Sequence, residues 1–557
     1  MDSVVKTRLD HFKSTPIDGQ VLKKLVEAGL TWLRVNQQTV NLLNVFPVPD
    51  GDTGTNMVLT MQSAYNEISS LGHHHVGQIA TAISQGALMG ARGNSGVILS
   101  QLWRGFARAL HNQEILDGPA LVRAFADARD TAYKGVVRPV EGTILTVAKD
   151  VASAAQEALS ITENPYEILA RIVPAADASV ERTPSLLPVL KQAGVVDSGG
   201  KGLFFILEGM LRYINGEPLD SPMAVVQPIS TMKLENAMES IEPGQDFEVV
   251  VDFVPAQDLN LQNFYTELEM MGTSIQVGEG EGMYRMHIHV PTENRNKPVD
   301  YIMGLGTVTK VAMENLIAQM EDIDKNSAKG HIELAKIEAG QIAVVTVSPG
   351  AGISRVFASL GVGAIVEGGQ TMNPSTKDIL DAFENLPTDK VIILPNNKNI
   401  VLAATQAKEV TVKKVYVVPT CNIPQGLAAV MHLNPDGDVD VVAAKMAKAI
   451  EDVIAIEVTT ATRTVEIDNV SVEQGQVIAL VNGKLAISAS SVEEACLGAL
   501  EKAKTSDYEL ITLFYGEDLT SAEANRIVDA VRTAYPSQEI EIQDGGQPHY
   551  QFIISVE

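Results

Sequence analysis

The stretch NVFPVPDGDTGTNM, residues 44–57, separates two helical patterns and carries two carboxylates two positions apart. Pro47 and Pro49 stop the preceding helix, because proline lacks an N–H and restricts the residue before it. A helical pattern resumes after the second glycine, so Asp50 and Asp52 are predicted to lie in a rigid loop that opens onto a helix N-terminus. Carboxylate oxygens in such a loop can hold Mg²⁺, and the free N–H groups of the helix can bind phosphate.

The same tripeptide has an ordinary explanation, since Asp-Gly-Asp is also common in turns and helix N-caps. A calcium loop of the EF-hand type is excluded, because its sixth position would be Thr55 rather than glycine and its twelfth would be Met61 rather than glutamate. The Walker A and Rossmann glycine patterns do not fit either. From these residues alone, a metal site and a simple turn both stay open.

Three further glycine-bearing turns precede helical patterns in the first part of the chain. Residues 86–96 read GALMGARGNSG, Gly142-Thr143 opens an alanine-rich helix over 144–159, and residues 193–202 read AGVVDSGGKG. Helix N-termini attract anions through free N–H groups and the helix dipole. The alternative is a helix–helix corner with glycine for close packing at residues 86–96, and a simple connection at residues 193–202. Three such turns, each leading into a helix, can converge on one ligand at one end of an all-α barrel.

Composition limits the classes of protein to which the chain can belong. Hydrophobic residues make up 45% of the 557 residues, which suffices for sizeable cores, and the formal net charge is −27. This charge argues against nucleic acid as a partner and disfavours binding to anionic lipid. Only Cys421 and Cys496 are present, so no disulfide framework is expected. Without a signal peptide or a long apolar run, we expect a soluble cytoplasmic protein with no transmembrane segment.

Periodicity divides the chain into three predicted domains: an all-α domain over 1–218, a middle domain over 219–330 and a C-terminal domain over 331–557. In the middle domain, strand patterns over 247–253 and 283–290 flank a helical segment, which predicts a small α+β domain. In the C-terminal domain, apolar strands alternate with helices. This alternation predicts an α/β domain with a mostly parallel sheet.

Polar loops follow three predicted strands of the α/β domain, at 368–376, 394–399 and 419–424. Ligands of parallel sheets bind beyond the carboxyl ends of strands, so these loops are candidate binding segments. Turn propensity also explains much of their composition.

His287 and His289 lie on one face of a predicted strand in the middle domain. Two such histidines can bind zinc if other residues supply further ligands. They can equally be packed or solvent-facing strand residues, so we leave them outside the predicted site and leave their metal binding open.

The motifs DGDTGTN, GARGNSG, EGTIL and AGVVDSGGKG occur in an order that resembles the DhaL-type nucleotide-binding domain of dihydroxyacetone kinases. The resemblance is closer to the variant in the FakA component of bacterial fatty acid kinases, whose C-terminal domain is similar in GGQTMNPST and LPNNKNI. It covers nearly the whole chain and is weakest in the middle domain. It implies a barrel of antiparallel helices that binds ATP and Mg²⁺ at one end.

The resemblance also implies site residues. Asp50 and Asp52 match metal-binding, catalytic aspartates, while a third aspartate of the dihydroxyacetone kinase pattern falls on Val45. We therefore take Asn44 as a candidate metal ligand, with Asn41 as the alternative. The residues matched to nucleotide contacts are Thr53, Gly54, Thr55, Asn56, Ser95, Gly96, Gly135, Thr143, Asp197, Ser198 and Gly199.

The function implied by the resemblance is an ATP- and Mg²⁺-dependent kinase subunit. It would phosphorylate the carboxylate of a fatty acid bound to a separate FakB- or DegV-like protein, which its C-terminal domain would engage. Two other functions stay open: a dihydroxyacetone-type small-molecule kinase and a non-enzymatic nucleotide-sensing regulator. The sequence leaves open the acyl-chain preference and the oligomeric state, including a homodimer.

Overall fold

The computed structural model describes residues 15–44, 51–136, 138–219, 227–228, 246–257, 259, 261–280, 283–315, 332–370, 372–461, 465–467 and 470–557. The chain forms two compact units. One combines Met1–Asp220 with Glu333–Glu557, and the other is Ser221–Ile332. None of the described helices has the length and apolar character that a membrane crossing requires.

Ten helices make up the described N-terminal part of the first unit. They are α1 Gly19–Val35, α2 Gln37–Leu42, α3 Thr53–Ser69, α4 Val76–Met89, α5 Gly93–Leu110, α6 Gly118–Lys134, α7 Ile144–Leu159, α8 Pro165–Leu186, α9 Pro188–Ala193 and α10 Ser198–Asn215. Eight of them pack side by side in the order α1, α3, α4, α5, α6, α7, α8 and α10, and α10 packs against α1. The ring is therefore closed, as an all-α barrel requires.

Neighbouring helices of the ring run in opposite directions, so four helix N-termini meet at each end. At one end, the N–H of Gly19 in α1 donates to the carbonyl of His74, just before α4, at 2.6 Å. At the other end, the hydroxyl oxygens of Thr53 in α3 and Ser198 in α10 lie 3.3 Å apart. The second end carries the starts of α3, α5, α7 and α10, and with them the glycine-bearing loops that the sequence singles out.

Apolar side chains from all eight helices fill the barrel. Leu33, Met57 and Ile83 are fully buried. The indole N–H of Trp103 donates to the sulfur of Met61 at 3.1 Å, so this buried donor has a partner. A cavity of about 80 Å³ with an almost wholly apolar lining is left inside. Burial of the apolar side chains of these eight helices, at about 25 cal/mol per Å² of apolar surface, is the main contribution to the stability of the barrel.

The contact between α5 and α6 depends on Gly105. A Cβ at this position would lie 2.2 Å from the carbonyl oxygen of Asp127 and 2.6 Å from the Cα of Ala128. Both are backbone atoms of α6, so no change of rotamer could relieve the overlap. Glycine sets the distance between these two helices.

The second unit is a sheet with helices on one face. Its elements are β1 Gln227–Pro228, β2 Phe247–Pro255, α11 Leu261–Glu269, β3 Thr273–Gly280, β4 Met283–Val290, α12 Lys297–Leu305 and β5 Gly306–Asn315. The strand order is β1-β3-β4-β2-β5, with β2 antiparallel to both β4 and β5. Phe253 of β2 packs with Phe264 of α11 and Ile302 of α12 in one core, as an α+β domain requires.

The C-terminal part of the first unit contains two main sheets. Its elements are β6 Ile342–Ser348, α13 Ala351–Ser359, β7 Ala364–Glu367, α14 Thr376–Glu384, β8 Lys390–Leu394, α15 Val401–Val410, β9 Lys414–Val417, α16 Ile423–Val430, α17 Val439–Ala449, β10 Ile454–Thr460, β11 Val465–Ile467, β12 Val470–Val472, β13 Val477–Val481, β14 Lys484–Ala489, α18 Val492–Lys502, β15 Leu510–Tyr515, α19 Ser521–Ala534, β16 Glu539–Asp544 and β17 Tyr550–Val556. One sheet, β7-β6-β8-β9, is parallel throughout. In the other, β14-β13-β10-β17-β15-β16, only β15 and β16 are parallel.

The predicted fold class is confirmed in all three parts of the chain. One detail of the sequence analysis was wrong. The α/β region contains a largely antiparallel second sheet besides the parallel one. Strand order depends on contacts distant in sequence, which local periodicity does not encode.

Replacing Gly105 with alanine should destabilise the barrel by about 1–3 kcal/mol, because the added methyl group forces α5 and α6 apart. Gly72→Ala is the matched control, since a Cβ there meets no atom within 4 Å. Urea denaturation followed by circular dichroism measures both. Equal stability of the two variants would contradict the packing argument.

Candidate functional site

The Asp loop ends at the start of α3. Asp52 is the N-cap residue of α3, but its side chain caps none of the helix N–H groups, and it is only 6% exposed. Gly51 has a φ of +59°, a left-handed conformation that favours glycine. Asp50 lies outside the described residues, so its role stays a prediction.

The first turn of α3 is held by side chains from α2. Asn41 Oδ1 accepts from the N–H of Gly54 at 2.7 Å and from the N–H of Thr55 at 3.1 Å. Asn41 Nδ2 and Gln37 Nε2 both donate to the Thr55 hydroxyl, at 3.1 and 2.9 Å. Asn41, one of the two asparagines left open, therefore fixes the loop backbone. The backbone N–H of Asn44 donates to the Asn41 carbonyl, and its metal role stays untested.

The second loop leads into α5 and packs against the first turns of α3. Gly93 has a φ of +56°, and a Cβ there would lie 2.6 Å from Nδ2 of Asn56. At Gly96, a Cβ would lie 2.4 Å from the Thr60 hydroxyl oxygen. Ser95 lies between these two glycines in the first turn of α5. Glycine is needed here because α3 and α5 begin almost in contact.

The third loop of the site, which ends at Asp197, leads into α10 and also contacts the start of α7. Asp197 is the N-cap of α10, and its carboxylate accepts from the N–H of Gly200 at 2.7 Å and from the N–H of Ile144. Thr143, the residue before Ile144, is the N-cap of α7. Gly199 is buried, and a Cβ there would lie 3.4 Å from the Cβ of Ile144.

Most of the predicted residues are thereby brought together. The second loop contacts Asn56 of α3. Thr53, in the same turn of α3, contacts Ser198, which directly follows Asp197. Gly135 is different. A Cβ there would lie 2.9 Å from Gln101 Cγ, and Gly135 lines a groove of about 590 Å³ beside α4, α5, α6 and α15.

This arrangement suits a cation bound to an anion. A buried carboxylate offers the hard oxygen ligand that Mg²⁺ prefers, and the starts of four helices meet beside it. Their dipoles favour phosphate, while the N–H groups of Gly54, Thr55 and Gly200 already donate to side chains of the protein. The residues present therefore fit a Mg²⁺–nucleotide complex.

Sequence reasoning missed that the C-terminal α/β domain takes part in this site. Asn373 donates a hydrogen bond from Nδ2 to Oδ2 of Asp52. Asn399 Oδ1 accepts from Nδ2 of Asn94, in the second loop, at 3.0 Å. Asn373 and Asn399 each follow a strand of the parallel sheet, and both lie in loops that the sequence analysis identified as candidate binding segments. The sequence indicated that these loops are binding segments, but it did not indicate that they contact the loops of the N-terminal domain.

In the middle domain, the structure gives the histidine pair a carboxylate neighbour that sequence reasoning also missed. His287 Nε2 lies 3.0 Å from Oε1 of Glu248, and the rings of His287 and His289 are 4.9 Å apart. One ligand atom from each residue lies within 4.8 Å of the others, and all three are buried. Burial, and then the neighbouring His287, lower the pKa of His289. The three side chains are of types that zinc accepts.

Three family models match the chain. The DAK2 domain matches residues 47–212, the middle domain of FakA-like fatty acid kinase proteins matches 242–323, and the C-terminal domain of the same proteins matches 343–557. Protein YloV of Bacillus subtilis is 38% identical over 554 residues, covering 97% of this chain and 99% of that protein. The chain belongs to the FakA-like fatty acid kinase family. The DAK2 match contains all three loops of the site, and this membership supports a kinase.

An uncharacterized protein of Staphylococcus aureus strain USA300 is 37% identical over 548 residues, covering 97% of this chain and 99% of that protein. Among solved structures, the dihydroxyacetone kinase of C. freundii in complex with AMP-PNP and Mg²⁺ matches at 21% identity, over 36% of this chain and 35% of that one, with a TM-score of 0.27. A Streptococcus pneumoniae fatty acid kinase B3 protein loaded with linoleic acid matches at 15% identity, over 33% and 76%, with a TM-score of 0.25.

Asp197 should make the stability of this family member depend on pH. Burial raises the pKa of Asp197 to about 6, so between pH 4 and 6 the folded state holds a proton that the unfolded state has lost. Stability from this group is therefore lost as pH rises through about 6. The unfolding free energy of wild type minus that of Asp197→Asn, measured from pH 4.5 to 7.5, should decrease as pH rises. A pH-independent difference would contradict the assignment.

Proposed function

We propose that this protein is the ATP- and Mg²⁺-dependent kinase subunit of a fatty acid kinase. Its acceptor is the carboxylate of a fatty acid carried by a separate FakB- or DegV-like protein, and its product is an acyl phosphate. The observation that carries the proposal is the meeting of Asp52 with the starts of four helices, in a domain of the FakA-like fatty acid kinase family.

The chemistry requires positioning more than covalent help. The bond between the γ-phosphorus of ATP and its β,γ-bridging oxygen breaks, and a bond from a carboxylate oxygen to that phosphorus forms. ADP leaves, and no proton has to be removed from the acceptor, because a carboxylate is already ionised at neutral pH. No side chain of the chain has to act as a nucleophile.

Each loop has a role in this proposal. Asp52, with Asp50 and Asn44 as further candidates, would hold Mg²⁺, which neutralises charge on the phosphates. The first turn of α3, from Thr53 to Asn56, and the second loop at Ser95 and Gly96 surround the phosphates. Because Asn41 already accepts from the N–H groups of Gly54 and Thr55, the phosphate contacts from α3 come from its other polar groups. Nucleotide contacts are completed by residues of the third loop and its neighbours: Thr143, Asp197, Ser198 and Gly199, with Gly135 at the groove beside α6.

The size of the barrel interior supports an acceptor delivered by another protein. Its apolar cavity of about 80 Å³ is smaller than the cavity of about 150 Å³ that holds a benzene molecule. This cavity, lined by described residues of the barrel, therefore has no room for a long acyl chain. We propose the C-terminal α/β domain as the surface that receives the carrier.

The deciding experiment incubates the chain with Mg²⁺, γ-labelled ATP, a fatty acid and a DegV-like protein, and detects acyl phosphate. Product only when both the lipid and its carrier are present supports the proposal. Phosphorylation of dihydroxyacetone in place of the lipid would favour the small-molecule kinase. Tight ATP binding without turnover in any mixture would favour the nucleotide-sensing regulator.

Asp52→Ala and Asp50→Ala should each reduce phosphoryl transfer by at least about a hundredfold, as removal of a charge-stabilising group does. The fold should persist, because the Asp52 side chain caps none of the α3 N–H groups. Asp389→Ala, which removes an exposed carboxylate of the C-terminal domain, is the matched control. A folded double variant of the two loop aspartates with near wild-type turnover would refute the metal assignment.

A further inference from the structure

The C-terminal domain places one polar side chain directly on the proposed metal ligand. Asn373, which precedes α14, is 2% exposed, and Asp52 is 6% exposed. The Asn373 amide donates from Nδ2 to Oδ2 of Asp52. The two residues are 321 positions apart, so this buried hydrogen bond joins two distant parts of the chain at the centre of the site.

The other half of the same amide has no hydrogen-bond partner among the described residues. Oδ1 of Asn373 is buried and accepts no hydrogen bond from them. Leaving a buried amide oxygen without a partner destabilises the folded state. Amide oxygens are also accepted ligands of hard cations such as Mg²⁺. An unsatisfied oxygen beside a metal-binding carboxylate is what a site prepared for a cation would contain.

The position of Asn373 is fixed from both sides. Nη1 of Arg92, at the second loop, donates to the Asn373 carbonyl at 3.0 Å, and its Nη2 lies 3.3 Å from Oδ2 of Asp378. Asp378 and Ser375 form the capping box of α14, with hydrogen bonds of 2.9 and 3.0 Å. The residues before and within α14 are thereby tied to the loop that would bind phosphate.

We propose that Asn373 is a positioning residue of the magnesium site, supplied by the C-terminal domain. Its Nδ2 orients the Asp52 carboxylate, and its Oδ1 is the oxygen offered to the cation or to one of the cation's water molecules. This inference rests on the proposed function, and it adds that the metal site is complete only when the α/β domain is in contact with the barrel.

A simpler interpretation is that Asn373 only holds the two domains together. That role would make Asn373 important for stability but would not make metal affinity depend on it. The two interpretations therefore differ in a measurement of cation binding, independent of catalysis.

The first test measures Mn²⁺ binding to the full chain by electron paramagnetic resonance, with a non-hydrolysable ATP analogue present. Asn373→Ala should weaken Mn²⁺ binding by about tenfold or more, the usual effect of removing a residue that orients a metal ligand. Asn385→Ala, an exposed asparagine at the C-terminal end of the same helix, should bind as wild type does. Circular dichroism establishes that each variant is folded.

The second test uses Asn373→Asp, which places a second carboxylate against Asp52. Without a cation the like charges repel, so in EDTA the melting temperature should fall by several degrees. Millimolar Mg²⁺ should restore most of the loss, because a cation between the carboxylates removes the repulsion. This test also decides the question if Asn373→Ala does not fold.

The outcomes distinguish failure of this inference from failure of the proposed kinase function. Unchanged Mn²⁺ affinity in Asn373→Ala, or a loss of melting temperature in Asn373→Asp that Mg²⁺ does not reverse, would overturn the inference and leave the kinase proposal standing. Failure of the wild-type chain to bind any Mn²⁺–nucleotide would overturn both.

Discussion

Helix α5 contributes to two hydrophobic cores at once, that of the barrel and that of the parallel sheet, and the rest of the site depends on this. Ala91 and Val97 are buried in the same core as Val345 and Ile393 of the parallel sheet. The helix that contains Val97 is also a member of the barrel ring. Its glycine-bearing start is consequently held from both sides, and the N–H of Thr376 donates to the Ala91 carbonyl across the junction. A loop held in this way keeps its N–H groups oriented without any ligand.

A second constraint is the alternation of helix direction around the barrel. Because neighbouring helices run in opposite directions, every second N-terminus faces the same end, and positive helix ends are concentrated there. The chain as a whole has a formal net charge of −27. Bringing a polyphosphate to such a protein requires local positive potential or a cation. The helix N-termini supply the positive potential, and buried oxygen atoms around Asp52 offer a site for the cation.

For a phosphotransferase this arrangement has a clear physical purpose. Transfer of a phosphoryl group depends on holding the reactants in line and stabilising charge, and preorganised groups do both without reorganising during the reaction. Asn41 is one example, since it fixes the first turn of α3 beside Asp52 by accepting from the N–H groups of Gly54 and Thr55. The contact of the α/β domain with the same loops joins the domain proposed to receive the acyl carrier to the site of transfer.

The sequence by itself determined the class of each domain and the local structure of the loops. Glycine allows the left-handed backbone at Gly51 and Gly93, and apolar periodicity distinguishes helix from strand, because both effects act within a few residues. Only the tertiary structure decided which distant groups meet. Glu248 beside His287, Asn41 beneath the Asp loop and Asn373 on Asp52 could not be predicted, since no local pattern records a neighbour 13 to 321 positions away. These pairings arise when helices and sheets bury their apolar faces, and burial is non-directional until the whole chain has packed.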